Sequence, residues 1–212
     1  MRPWLALCIA ALVAWAAPAR SEGERAGDFD YHVLALSWSP TWCALEGRAE
    51  GSPQCDRPLG WVLHGLWPQY EDGWPSWCRT AERDPSRADT AAMADIMGTS
   101  GLAWYQWQKH GRCAGLSATD YFATARRAFG AVTMPEVLQQ LDRTVRVPAS
   151  VIEEAFLEVN PGWTADMLTI TCRDGRIQEA RLCLTRDLEP RRCGADVNRD
   201  CSLQDAVLDP IR

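Results

Sequence analysis

The sequence has no C-x-x-C pair and only three histidines, His32, His64 and His110. That shortage argues against a structural zinc site, which needs four cysteine or histidine ligands and commonly takes them in closely spaced pairs. Positive charge is scarce too: 22 Lys and Arg face 28 Asp and Glu, for a net charge of −6. This disfavours a protein that grips nucleic acid through a broad basic surface, but not an enzyme that holds one phosphate in a small local site. Any binding of RNA should be weak and short-ranged. No Pro/Gly/Ser-rich linker divides the 212 residues, and no internal repeat is visible. A chain of this length suffices for one domain with a substantial core.

One apolar run is present, at the N terminus. Arg2 precedes Trp4 to Trp15 (WLALCIAALVAW), which is too short to span a bilayer comfortably. Small-residue cleavage options follow at Ala14-Trp15-Ala16 and Ala17-Pro18-Ala19. Residues 1–19 therefore read as a signal peptide, with 20–212 as the exported domain, periplasmic or secreted and free of the membrane after cleavage. An uncleaved anchor is the alternative. Of nine cysteines, Cys8 lies in this segment, and eight remain. An even number in an oxidising compartment implies four disulfides, with the connectivity open.

Tyr31 to Trp38 (YHVLALSW) suits a buried strand, and Trp61 to His64 suits a second, short one. Ser117-x-x-Asp120 and Ser150-x-x-Glu153 read as helix-opening capping boxes, and Pro135 opens a third helix in PEVLQQLD. Met167 to Arg173 and Arg176 to Thr185 flank Asp174-Gly175, a strong hairpin signal. The polar stretch Cys78 to Asp89 reads as a surface loop. These elements predict a single α+β domain: a central antiparallel sheet with helices packed on it, stapled by disulfides.

Two blocks carry chemistry. In WYQWQKHGRC (104–113), read as a helix, Gln106, Lys109, His110 and Cys113 fall within an arc of about 100° at 3.6 residues per turn. Trp104 and Trp107 turn away to back that face, Tyr105 lies at its margin, and Gly111 is a natural end. The bland alternative is a solvated amphipathic helix. In HGLWPQY (64–70), His64 follows an apolar strand and can stand at its end, facing a cleft. Trp67 and Tyr70, with Trp74 in DGWPSWC, offer flat faces on which a base can stack; ordinary packing of a tryptophan-rich core is the alternative. His32, on the apolar first strand, reads as structural.

HGLWP at 64–68 and W-x-K-H-G-x-C at 107–113 resemble the two active-site signatures of the ribonuclease T2 family. HVLALSWSPTWC (32–43) resembles that family's bacterial first strand, and GWPSWC is similar to its Gly-x-Tyr-Pro-x-x-Cys, with Trp74 at the tyrosine. The resemblance implies an endoribonuclease that needs no metal or other cofactor and acts as a monomer on RNA. In such chemistry the 2′-hydroxyl attacks the neighbouring phosphate to leave a 2′,3′-cyclic phosphate, which is then hydrolysed to a 3′-phosphate. By position His110 is the base, His64 the acid and Lys109 the charge clamp. DNA, lacking the 2′-hydroxyl, should not be cleaved. The resemblance and the spacing also imply pairing of Cys78 with Cys113, and a nested set among Cys172, Cys183, Cys193 and Cys201. Cys43 with Cys55 would close a short loop.

The match departs from the family at Tyr105 and Gln106, where a histidine and a glutamate are usual. Gln106 can donate a hydrogen bond to phosphate but cannot ionise; Tyr105 can donate one without charge. Because neither change touches the acid–base pair, an active but altered nuclease is expected, with a raised or shifted pH optimum. The rival is a catalytically impaired pseudo-ribonuclease serving as an RNA-binding or protein-interaction module. A third class, a disulfide-stapled extracellular inhibitor, accounts for the cysteines but not the histidines. Gln69, just after HGLWP, could read a base edge near Trp67.

Overall fold

The apolar run Tyr31–Trp38 forms β1 with the expected bounds, and nearly every residue in it is buried. In the computed structural model, which describes residues 24–212, β1 lies inside a mixed sheet. The proposed signal peptide, 1–19, lies outside the described residues. β2 (Trp61–Gln69) pairs with one side of β1 and β5 (Arg176–Leu184) with the other, both antiparallel. β4 (Leu168–Arg173) is the hairpin partner of β5. Between them Asp174 and Gly175 have φ of 50° and 75°, the two left-handed positions that a tight hairpin of right-twisted strands requires. Two short strands, β3 (Val145–Val147) and β6 (Ala206–Leu208), pair antiparallel. β6 meets β5 through one parallel pair, Arg176 with Val207. The sheet thus departs from the expected antiparallel pattern at one junction, where the chain beyond Cys201, tied to Cys172, re-enters beside the start of β5.

The helices are α1 (Ser39–Trp42), α2 (Arg87–Ala92), α3 (Ala94–Met97), α4 (Ser100–Lys109), α5 (Ala118–Gly130), α6 (Glu136–Gln139) and α7 (Ala149–Val159). Alternation along a strand sends side chains to opposite faces. One face of the sheet, with Leu34, Leu36, Leu182 and Leu184, packs with Phe122 of α5 and with Ile152 and Phe156 of α7. The other face holds only a small apolar cluster of Tyr31, Val33, Cys183 and Val197. That second, thinly covered face is where the polar site forms.

Ser117 caps α5 as its spacing predicts, its hydroxyl accepting from the Asp120 N–H at 3.1 Å. Ser150 does not cap α7. The helix already begins at Ala149 after Pro148, so Ser150 falls inside the first turn. The helix after Pro135 is a single turn, Glu136–Gln139. The polar stretch 78–89 is irregular only as far as Pro85. Ser86 and Asp89 then form a reciprocal capping box that opens α2. The eight cysteines of the described residues pair as Cys43–Cys55, Cys78–Cys113, Cys172–Cys201 and Cys183–Cys193, the last nested inside the third. His32 is buried, and burial with the nearby Arg186 lowers its imidazole to about 4. It is neutral and structural. Among the described residues no helix is long and apolar enough to cross a membrane.

Candidate active site

The strand expected at Trp61–His64 continues to Gln69, so His64 stands inside β2 rather than at a strand end. Pairing passes from Ala35–Gly65 to Leu36–Leu63, leaving His64 as the extra residue of a β-bulge. A bulge resets the alternation. Leu63 and Leu66 both reach the core, while His64, Trp67 and Gln69 all line one pocket. Pro68 is tolerated because β2 is the sheet's edge. Tyr70, expected as a stacking platform, is not among the pocket's lining residues. Its hydroxyl donates instead to Glu24 at 3.4 Å.

The helix expected across 104–113 is α4 up to Lys109; His110 is its C-cap and a 3-10 turn covers Gly111–Ala114. Trp107 is fully buried and its indole N–H donates to Asp84 at 2.9 Å. Trp104 is 44% exposed, so one tryptophan backs this helix rather than two. Gly111 permits a close approach: a Cβ there would lie 2.7 Å from Trp107 and 2.8 Å from Tyr121. Beyond it Cys113 is bonded to Cys78, and the N–H of Trp77 donates to the Lys109 carbonyl at 2.9 Å. The end of α4 is thereby fixed. Gln106, Lys109 and His110 face the pocket; Cys113, assigned to the same face, is consumed by its disulfide.

The pocket measures about 370 Å³ and brings together His64, Trp67, Gln69, Gln106, Lys109 and His110, with Trp74 and Tyr105 on an exposed rim. Trp67 is its centre. The indole meets His64 edge-on and stacks on His110, with ring centroids 5.2 Å away in both cases. Its N–H donates to Gln106 Oε1 at 2.7 Å, so the group Gln106 can offer a ligand is its NH₂ donor. Gly65 makes room for that bond, because a Cβ would lie 2.3 Å from both Gln106 Oε1 and Trp67 Nε1. Gly65→Ala is expected to push the two apart and to cost on the order of 10²-fold in turnover, the scale of a catalytic group misplaced by about 1 Å. Steady-state kinetics on RNA, beside an unfolding curve near wild type, checks it.

Lys109, the sole lysine of the sequence, lies over the Tyr105 ring at 5.8 Å. Burial, with the charges of Lys109 and of His64 when protonated, pushes the His110 imidazole down to about 3. Its Nδ1 is buried without a hydrogen-bond partner, leaving Nε2 as the nitrogen that can serve a ligand. Three residues not anticipated also belong here. Arg181 lines the pocket, its guanidinium 5.4 Å from the Trp67 ring. Beside it Glu179 is 1% exposed and accepts from His64 Nδ1 at 2.5 Å. Burial alone would raise this carboxyl, but the hydrogen bond and charge of His64 and the charge of Arg181 hold it at about 2. Asp196 lines the pocket as well; its Oδ1 and Gln69 Oε1 are both buried without a hydrogen-bond partner.

An α+β sheet that gathers two imidazoles, an ammonium and a guanidinium around one indole defines an acid–base site for an anionic ligand. The chain belongs to the Ribonuclease T2 family, whose sequence model matches residues 29–193. It is 42% identical over 114 residues to a ribonuclease of Aeromonas hydrophila, covering 54% of this chain and 51% of that one. It is 35% identical over 128 residues to a probable ribonuclease of Haemophilus influenzae, covering 54% and 46%. The chain thus spans about half the length of these curated relatives. A solved structure of an RNase-related protein from Calystegia sepium superposes with a TM-score of 0.65 at 20% identity, over 85% of this chain and 96% of that one. At that identity the likeness is one of fold.

Proposed function

We propose that the chain is an endoribonuclease cleaving single-stranded RNA by transphosphorylation, with neither metal nor other cofactor. His110 is the base. Held well below the usual histidine range, it is neutral and ready to take the proton of the 2′-hydroxyl. The oxygen so freed attacks the phosphorus, and His64 Nε2 gives a proton to the departing 5′-oxygen, leaving a 2′,3′-cyclic phosphate. Lys109 and the Gln106 NH₂ face the phosphoryl oxygens, where charge develops. In the second step the roles reverse, and water opens the cyclic ester to a 3′-phosphate. Trp74 and Tyr105 on the rim offer stacking faces, and the unpaired oxygens of Gln69 and Asp196 suit a base edge that presents N–H donors.

What supports this reading most is that His64 and His110 both contact the Trp67 indole, with Lys109 in the same pocket. Four disulfides fit an oxidising, periplasmic or secreted setting, and we take the working unit to be the monomer. The reading is tested with a DNA oligonucleotide carrying one ribonucleotide, incubated with the oxidised protein in excess EDTA. Cleavage only 3′ of the ribonucleotide, with a cyclic phosphate end, is the expected result. Cleavage of the all-DNA control, or inhibition by EDTA, would overturn it.

A further inference from the structure

One buried charge has no part in the chemistry above. Glu179 sits on β5, two strands from His64, yet its carboxylate reaches the imidazole across β1. Its two oxygens are divided between Arg181 on one side and His64 and Ser37 on the other. Oε2 accepts from both Nε and Nη2 of Arg181, at 2.9 and 2.7 Å. Oε1 accepts from His64 Nδ1, with the Ser37 hydroxyl 3.4 Å away. An ionised carboxylate can only accept, so the proton between it and the imidazole belongs to Nδ1. Nε2 is then the free end of the ring. The bulge that turns His64 toward the pocket also frees it from the strand's normal side-chain direction, so something else must fix the ring.

We infer that Glu179, anchored by Arg181, is a positioning residue for His64: it holds the ring through the proton on Nδ1 and so directs Nε2, which carries the second proton of the imidazolium acid, at the leaving 5′-oxygen. The inference rests on the reading of His64 as the general acid. Glu179 itself does not line the pocket that holds His110 and Lys109 but a neighbouring one of about 200 Å³, which His64 also lines. It touches the acid and not the substrate. When Nε2 gives its proton to the leaving oxygen, Nδ1 keeps its own and the carboxylate stays ionised. The plain alternative is a structural ion pair that ties β2 to β5.

The test compares wild type, Glu179→Gln, His64→Ala and the double variant on two substrates. One is a dinucleotide of RNA. The other is a nucleoside 3′-(4-nitrophenyl phosphate), whose leaving group departs without a proton. Glu179→Gln is expected to lower kcat on RNA by about 10²-fold, the low end of general-acid losses, and to leave KM and the aryl ester reaction within about fivefold of wild type. The double variant should be no slower than His64→Ala, because both changes remove one function. With only three histidines, imidazole ¹⁵N spectra can be assigned, and His64 should change from the Nδ1–H tautomer to a mixture. A wild-type rate on RNA in Glu179→Gln, with His64→Ala inactive, overturns the inference and leaves the acid intact. Equal losses on both substrates in Glu179→Gln reduce Glu179 to a structural tie. Full RNA cleavage by His64→Ala removes the acid assignment, and the inference with it.

Discussion

His110→Ala is expected to lower kcat on RNA by roughly 10³- to 10⁴-fold, the upper range for loss of a general base. The protein should still fold, because the ring deleted carries a buried nitrogen without a hydrogen-bond partner. The pH profile follows from the same burial. With its imidazole near 3, His110 of the free protein is already deprotonated at pH 5, so the acid limb of kcat/KM should lie well below the usual histidine range. A bound phosphate adds negative charge beside Lys109 and His110 and favours the imidazolium, so the acid limb of kcat should lie higher. Of the raised or shifted optimum expected from the missing glutamate, burial and Lys109, both acting downward on His110, favour a shift and not a rise on that limb. Rates measured from pH 3 to 8 at low and saturating RNA separate the two limbs.

The second large effect concerns the disulfide beneath the site. Replacing Cys78 and Cys113 by serine opens a loop closed at a sequence separation of 35, which should cost about 3–4 kcal/mol of stability by the chain-entropy relation. Activity should fall as well, even under conditions where the variant is folded. Cys113 lies within the 3-10 turn that follows His110, and Cys78 adjoins Trp77, whose N–H fixes the Lys109 carbonyl. Opening Cys43–Cys55 instead, away from the pocket, should cost stability and leave turnover near wild type. Urea unfolding, with RNA turnover assayed well below the midpoint, distinguishes the two variants.

Much of this site is legible in the chain. His64, Gln106, Lys109 and His110 lie in two short blocks whose residue types announce acid–base chemistry, and the pocket unites all four. The hairpin was readable because Asp174-Gly175 fits only one kind of turn. Glu179 and Arg181 were not readable, because RIQEARLCL mixes charged and apolar residues as an ordinary surface strand does, and nothing in the run marks Glu179 as the buried charge. Their partner His64 is distant in sequence, and the bulge that joins them has no local signature. Tyr70 lies just past the end of β2 and is not among the pocket's lining residues, which its place in HGLWPQY does not reveal. Trp104 and Trp107, three apart on one helix, look equivalent in the sequence. Only the packing of Tyr121 and the acceptor at Asp84 separates the buried one from the exposed one.

Gln106, bonded to Trp67 and offering an amide donor, is expected to support catalysis where a glutamate is usual. Wild type and Gln106→Glu should be compared on RNA in excess EDTA from pH 4 to 8, with product ends identified. Cleavage by the wild-type protein to 2′,3′-cyclic and 3′-phosphate ends is predicted, with the variant's acid limb moved upward by the new carboxylate beside His110. A folded wild-type protein that cuts nothing, while Gln106→Glu cuts, would contradict the account and mark the chain as an enzyme disabled at that one position.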